Sequence, residues 1–201
     1  MSAMPTTIRM ATESDAEPIA AIYAPYVRDT PISFEVVPPA AEEMRQHIGA
    51  LTATYPWLVC DDGGTVLGYA YASRHRDRAA YQWSVDGSVY VRADAHRRGI
   101  GRALYAALLR IVTAQGFYRA YAGITLPNAS SVGLHEAMGF QPVGVYRAVG
   151  YKLRSWHDVG WWDLPLHPAD AAPAPPRPVG VLRDAPEWHA ALAAGQALLR
   201  A

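Results

Sequence analysis

"AHRRGIGRALYAALL", residues 95–109, decides how the rest of the chain is read. Two glycines spaced G-x-G follow two arginines and lead straight into a smoothly apolar helical stretch. Glycine adopts positive φ without strain and lets another molecule approach the backbone closely. The N–H groups left free in a helix's first turn, with the dipole behind them, favour an anion. The stretch has the makings of a phosphate cradle; the plainer alternative is a strand-to-helix turn with solvated arginines. It is not a dinucleotide fingerprint, because Leu104 holds the place of the third glycine in G-x-G-x-x-G. Nor is it a P-loop, since no Gly-Lys-Ser/Thr follows.

Working outward, "WSVDGSVYV" (83–91) is a β-branched and aromatic strand, and Gly87 within it predicts a bulge. The helix runs to about Gln115, with Gly116 as its stop. "RAYAGITL" (119–126) is a further strand, and "PNASSVGLHEAMGF" (127–140) a short helix closed by Gly139. Toward the start, "TTIRMAT" alternates like a strand, and "DAEPIAAIYAPYV" has helical spacing with Pro18 tolerable in its first turn. The extended "PISFEVVPP" precedes a second helix, "AAEEMRQHIGALTATY", whose early glutamates suit the dipole. "PWLVCDDGGTVLGYAYAS" reads as two strands about a "DDGG" turn, and "RHRDRAAYQ" as a basic loop. "QPVGVYR" and "SWHDVGWWDLPL" supply the last strands. Mixed strands and helices with an antiparallel opening predict one α/β layered domain over residues 1–166. Seven of the 16 prolines lie between Pro165 and Pro186, so residues 167–201 read as a Pro/Ala-rich arm ending in a candidate amphipathic helix.

With 201 residues and 51% hydrophobic content, the chain can bury one substantial core. Acidic and basic residues balance at 18 each, which gives no electrostatic case for nucleic acid or an anionic membrane. A lone cysteine, Cys60, makes no internal disulfide, and no signal-peptide core or 18-residue apolar run is present. A cytoplasmic protein is the expectation.

"VYVRADAHRRGIGRALYAALL" resembles the acetyl-CoA-binding motif of the GNAT superfamily of N-acetyltransferases, written Q/R-x-x-G-x-G/A. Arg97, Arg98, Gly99, Ile100, Gly101 and Arg102 fill it, with His96 where Gln or Arg is usual. "NASSVGLHEAMGF" is similar to the second signature, in which Asn128 opens a helix beside the pantetheine arm and Gly139-Phe140 closes it. "FEVVPPAAEEM", "YPWLV", "SVYV" and "GYKLRSWHDVGWW", in this order, narrow the resemblance to the phosphinothricin (methionine sulfoximine) acetyltransferases over roughly residues 7–180.

The resemblance implies a GNAT fold, a mixed central sheet flanked by helices, with acetyl-CoA as co-substrate and a homodimer as the assembly. It implies cofactor contacts at Val89, Tyr90, Val91, Asn128 and Ser131 besides the glycine turn. It places Asp86 where the family carries a glutamate proposed as general base, and His135 where many GNAT enzymes have a tyrosine that protonates the thiolate. Asp86 is one methylene shorter, which points to a water relay. Arg76, Arg78, Tyr81, Asp86, Gly87 and Ser88 are the implied acceptor residues, while His75 stands where relatives often have tryptophan.

The chemistry is consistent with these types. An α-amine of pKa near 8 is already roughly a tenth neutral at pH 7, so a carboxylate suffices as base. An imidazole serves as acid or base near neutrality, and arginines suit a carboxylate or phosphinate. Tyr105, one helix turn beyond the glycines, fits the core as well as the cofactor. No metal is expected, because adjacent strand residues such as His157 and Asp158 point to opposite faces. Two other readings remain: transfer to another amine or a protein N-terminus, and a catalytically silent acetyl-CoA-binding module.

Overall fold

The structure is a computed structural model that describes residues 6–169, 172–183 and 185–200. Seven strands form one mixed sheet: β1 (Thr7–Met10), β2 (Trp57–Asp62), β3 (Thr65–Arg74), β4 (Ser84–Val91), β5 (Arg119–Leu126), β6 (Gln141–Lys152) and β7 (Ser155–Pro165). Their order across the sheet is β1-β2-β3-β4-β5-β7-β6. Helices α1 (Ala16–Asp29) and α2 (Ala41–Thr52) cover one face, and α3 (Ile100–Gln115) with α4 (Ala129–Ala137) lies on the other. Among the described residues no helix is long and apolar enough to cross a membrane.

Local chemistry explains most boundaries. Glu43 accepts the Ala40 N–H at 2.8 Å and starts α2. Gly63 and Gly64 turn the β2–β3 hairpin at φ +61° and +92°, the region an Asp-Gly-Gly turn needs. α3 ends at Gly116, whose φ of +95° lets Phe117 N–H bond back to Val112 O. Leu104, Leu108 and Ile111 of α3 are fully buried, each stabilising by about 1.5–3 kcal/mol.

Two elements differ from the sequence reading. Gly87 makes no bulge: β3 and β4 pair without a register shift from Gly68–Val91 to Arg74–Val85. The glycine is instead a clearance, since a Cβ there would lie 3.0 Å from the Tyr105 hydroxyl. The strands part on the other edge of β4. Its parallel ladder with β5 holds only from Ser84–Arg119 to Asp86–Tyr121, after which both strands run on unpaired with each other. The last hairpin is also longer than predicted, with β6 reaching Lys152.

Beyond Leu166 the chain shares the main core. Arg177 N–H bonds to Gln115 O and Val179 N–H to Thr54 O. Helix α5 (Pro186–Gln196) then packs on α3, burying Trp188 and Ala191. Gly195 permits that contact, because a Cβ would stand 2.5 Å from Ala103 O.

Candidate active site

The gap where β4 and β5 part organises the site, and strand alternation divides it in two. Asp86, Ser88 and Tyr90 share a face with Tyr69, Tyr71 and Tyr121, beneath α1 and α2; Gly87, Val89 and Val91 face α3 and α4.

On the α3 side, Arg97 and Gly99 both hold positive φ, +65° and +80°, and turn the chain sharply into the helix. The first intrahelical bond is Ala103 N–H to Gly99 O, so the N–H groups of Ile100, Gly101 and Arg102 have no helical acceptor. No acidic side chain stands in the first turn. Gly101 keeps the helix close to Leu134 of α4 and Val91 of β4. The turn and α4 border a cleft of about 750 Å³. Its walls include Val89, Tyr90, Val91, Arg97, Gly99, Ile100, Gly101, Arg102, Asn128 and Ser131, nearly the whole implied cofactor set. Arg98 turns elsewhere, toward Asp62 at 3.8 Å. His96 clips the end of β4, its Nε2 lying 3.0 Å from Val91 O and 3.1 Å from the Tyr26 hydroxyl. Asn128 caps α4 by accepting Ser131 N–H at 3.1 Å. A narrower pocket of about 70 Å³ between the parted strands shares Val89, Tyr90, Asn128 and Ser131 with the cleft and adds Gly87, Ser88, Tyr105 and His135.

His135 is 4% exposed and engaged at both nitrogens. Nδ1 donates to Ser131 O at 2.7 Å, which leaves Nε2 to accept the Tyr105 hydroxyl at 2.9 Å. Burial lowers its pKa, keeping the ring neutral, and raises that of Tyr105 far above the ordinary phenol value. Tyr105 thus lines the same narrow pocket as His135. The sequence signal for it was spacing: one turn past Gly101, it faces the strand that carries Gly87.

On the opposite face, Asp86 accepts from His75 Nδ1 at 2.6 Å. Burial raises the Asp86 pKa, and the His75 bond partly offsets it. The His75 ring stacks on Tyr121 at 4.2 Å and meets Trp161 and Tyr81 edge-on. Arg76 lies over the Trp161 ring at 5.2 Å. Trp161 in turn lies on Gly123, where a Cβ would come within 3.2 Å of its indole. Arg78 is exposed, and no hydrogen bond or ion pair among the described residues ties its side chain to this cluster. His157 and Asp158 serve the last hairpin, His157 Nε2 donating to Lys152 O and Asp158 accepting Ala148 N–H.

The family profile described as Acetyltransferase (GNAT) domain matches residues 8–161. The chain belongs to the GNAT acetyltransferases. A phosphinothricin N-acetyltransferase of Streptomyces viridochromogenes is 42% identical over 175 residues, covering 87% of this chain and 93% of that protein. An L-methionine sulfoximine/L-methionine sulfone acetyltransferase of Pseudomonas paraeruginosa is 36% identical, covering 85% of this chain and all of the relative. Among solved structures, a phosphinothricin acetyltransferase of the superfamily from Sinorhizobium meliloti, in complex with AcCoA, superposes with a TM-score of 0.81 at 36% identity. That match covers 85% of this chain and 94% of the other. This GNAT chain is accordingly an N-acetyltransferase. What its fold contributes is a parted strand pair with an anion-ready helix N-terminus on one face and a carboxylate–imidazole pair on the other.

Proposed function

We propose that this N-acetyltransferase moves the acetyl group of acetyl-CoA to the amine of a small amino-acid analogue of the phosphinothricin or methionine sulfoximine type. The observation that carries the reading is the opening of the β4–β5 ladder immediately after Asp86, between the two clusters. The residues fit the co-substrate: free N–H groups of the α3 first turn, with Arg97 and Arg102, match a pyrophosphate, and the gap between strands admits a slender pantetheine arm. Bound there, acetyl-CoA supplies an activated acyl carbon. The chain's own part is to fix both reactants, which can supply of order 7 kcal/mol or more of the barrier reduction.

The amine arrives on the Asp86 face. Asp86 is the carboxylate on which its deprotonation rests, and Arg76 pairs with the acceptor's anionic group. Backbone N–H groups of 87–91 on the unpaired edge of β4 serve the developing oxyanion. Tyr105, held by His135, lies on the side where the thiolate leaves. Arg78, Tyr81 and Ser88 complete the acceptor side, while Gly87, expected with them, lies on the α3 face and lines the pocket between the parted strands. Protection against such toxic analogues in the cytoplasm is the role this activity would fill.

A homodimer fits the exposed apolar strip on β6 and β7, where Tyr151 is 61% and Trp156 63% exposed. Light scattering of wild type and Trp156→Glu tests it; a dimer that becomes a monomer is expected.

The function is tested by thiol release from acetyl-CoA with phosphinothricin, methionine sulfoximine and a panel of ordinary amino acids and amines. Fast release with the first two is expected. Release with peptides bearing a free N-terminus, and not with these, would replace this reading with protein acetylation.

A further inference from the structure

We propose that the atom that takes the proton from the acceptor's ammonium group is His75 Nε2, with Asp86 behind it as the positioning residue. This rests on the acetyl-transfer reading above and names the base within it.

The geometry is that of an oriented imidazole. His75 lies just beyond β3, and Ser73 is the residue directly opposite Asp86, so His75 and Asp86 are diagonal neighbours on one face. A neutral imidazole can bond a carboxylate only by donating, so the 2.6 Å contact places the proton on Nδ1 and the lone pair on Nε2. Nε2 has no hydrogen-bond partner among the described residues, yet it is not among the polar atoms sealed from solvent. The ring cannot tumble: Tyr121 stacks beneath it at 14° and Trp161 stands edge-on at 83°. A half-buried partner carboxylate that fixes the tautomer and then steadies the imidazolium is the arrangement by which a histidine becomes an effective base.

Asp86 is the weaker candidate for direct contact, because one of its oxygens is already occupied by His75. The other titratable groups facing the pair are Tyr71, Arg76, Tyr81 and Tyr121, with Tyr105 reaching Asp86 from the other side of β4. Arg76 is the one cation among them, and it would be neutralised by the acceptor's own anionic group.

In the step, R–NH₃⁺ gives one proton to Nε2, and the freed lone pair forms the N–C bond to the acetyl carbon as the C–S bond breaks. The new amide sheds its second proton, the thiolate takes one up, and His75 returns its own to water. The sum is R–NH₃⁺ plus thioester giving N-acetyl amide, thiol and one H⁺.

The experiment uses the full chain with His75→Gln, His75→Ala and Asp86→Asn, following kcat, both KM values and the pH profile of kcat/KM for the acceptor. His75→Gln is expected to lose about 100-fold in kcat with KM for acetyl-CoA unchanged, and to lose the acid limb of the profile. His75→Ala is expected to recover activity with added imidazole, and Asp86→Asn to move the acid limb to lower pH. Wild-type kcat and an unchanged limb in His75→Gln would overturn the proposal, as would loss of activity confined to Asp86→Asn. Nitrogen-15 NMR of the ring reads the pair without turnover. A bare Nε2 and protonated Nδ1 at pH 8, with that preference lost in Asp86→Asn, support it; a ring protonated at Nε2 overturns it. A wild type that binds acetyl-CoA but acetylates no amine would overturn the proposed function instead, and the tautomer would still decide the pairing.

Discussion

The two faces of β4 set their histidine pairs in opposite surroundings. On the α3 face, His135 and Tyr105 are sealed in the core, bonded to each other and held neutral by burial. On the α1–α2 face, His75 and Asp86 keep some contact with solvent, the side chains being 11% and 26% exposed, and an ion pair becomes possible once His75 is protonated. One strand separates them, and alternation of its side chains makes the division unavoidable. An amine that must lose a proton needs a base open to its approach. In the proposed transfer, a thiolate leaving between the strands would be served by the fixed hydroxyl of Tyr105. The difference teaches that site polarity here follows from which face a residue occupies, not from its type alone, since both faces carry a histidine.

That contrast can be broken experimentally. The largest effect is expected from Asp86→Ala: a drop in kcat of about 100-fold or more, with acetyl-CoA affinity by calorimetry unchanged. If affinity falls in parallel, the two faces are not separable. Next, Gly101→Val should crowd Leu134 and Val91 and raise KM for acetyl-CoA by about tenfold, leaving the acceptor's KM alone. Steady-state kinetics in both substrates checks it.

Tyr105→Phe should act on the sealed face first through stability. It strips His135 Nε2 of its only partner among the described residues and should cost about 1–3 kcal/mol, visible as a lower Tm. The smallest effect concerns pH. His135 has a folded pKa below its unfolded value, so the unfolded chain binds more protons, and stability should fall as pH drops below about 6.5. Urea titrations at pH 7.5 and 5.5 measure this, and His135→Gln should flatten the difference.

Much of the architecture was legible in the chain. Period and punctuation located the helices and most strands, because Gly116, Gly139 and the Gly63-Gly64 turn have local causes. The turn at residues 97–102 was legible for the same reason. Gly87 misled: glycine in a strand signals either a bulge or a close approach, and only the partner across the sheet, Tyr105, distinguishes them. Arg98 also escaped, since a sequence does not show which arginine of a pair faces the cleft and which faces Asp62. His75 and Asp86, two of the positions that depart from the family pattern, proved to be bonded to each other. Each departure was visible alone; their pairing was not.

By itself, then, the sequence determined the fold class, the anion-ready helix start and the residue types available for proton transfer. These depend on backbone propensity and on neighbours a few positions away. Tertiary structure alone decided where β4 and β5 part, which face each titratable group occupies and which histidine meets which partner. Those outcomes arise from register and burial between segments far apart in the chain, and no local rule carries that information.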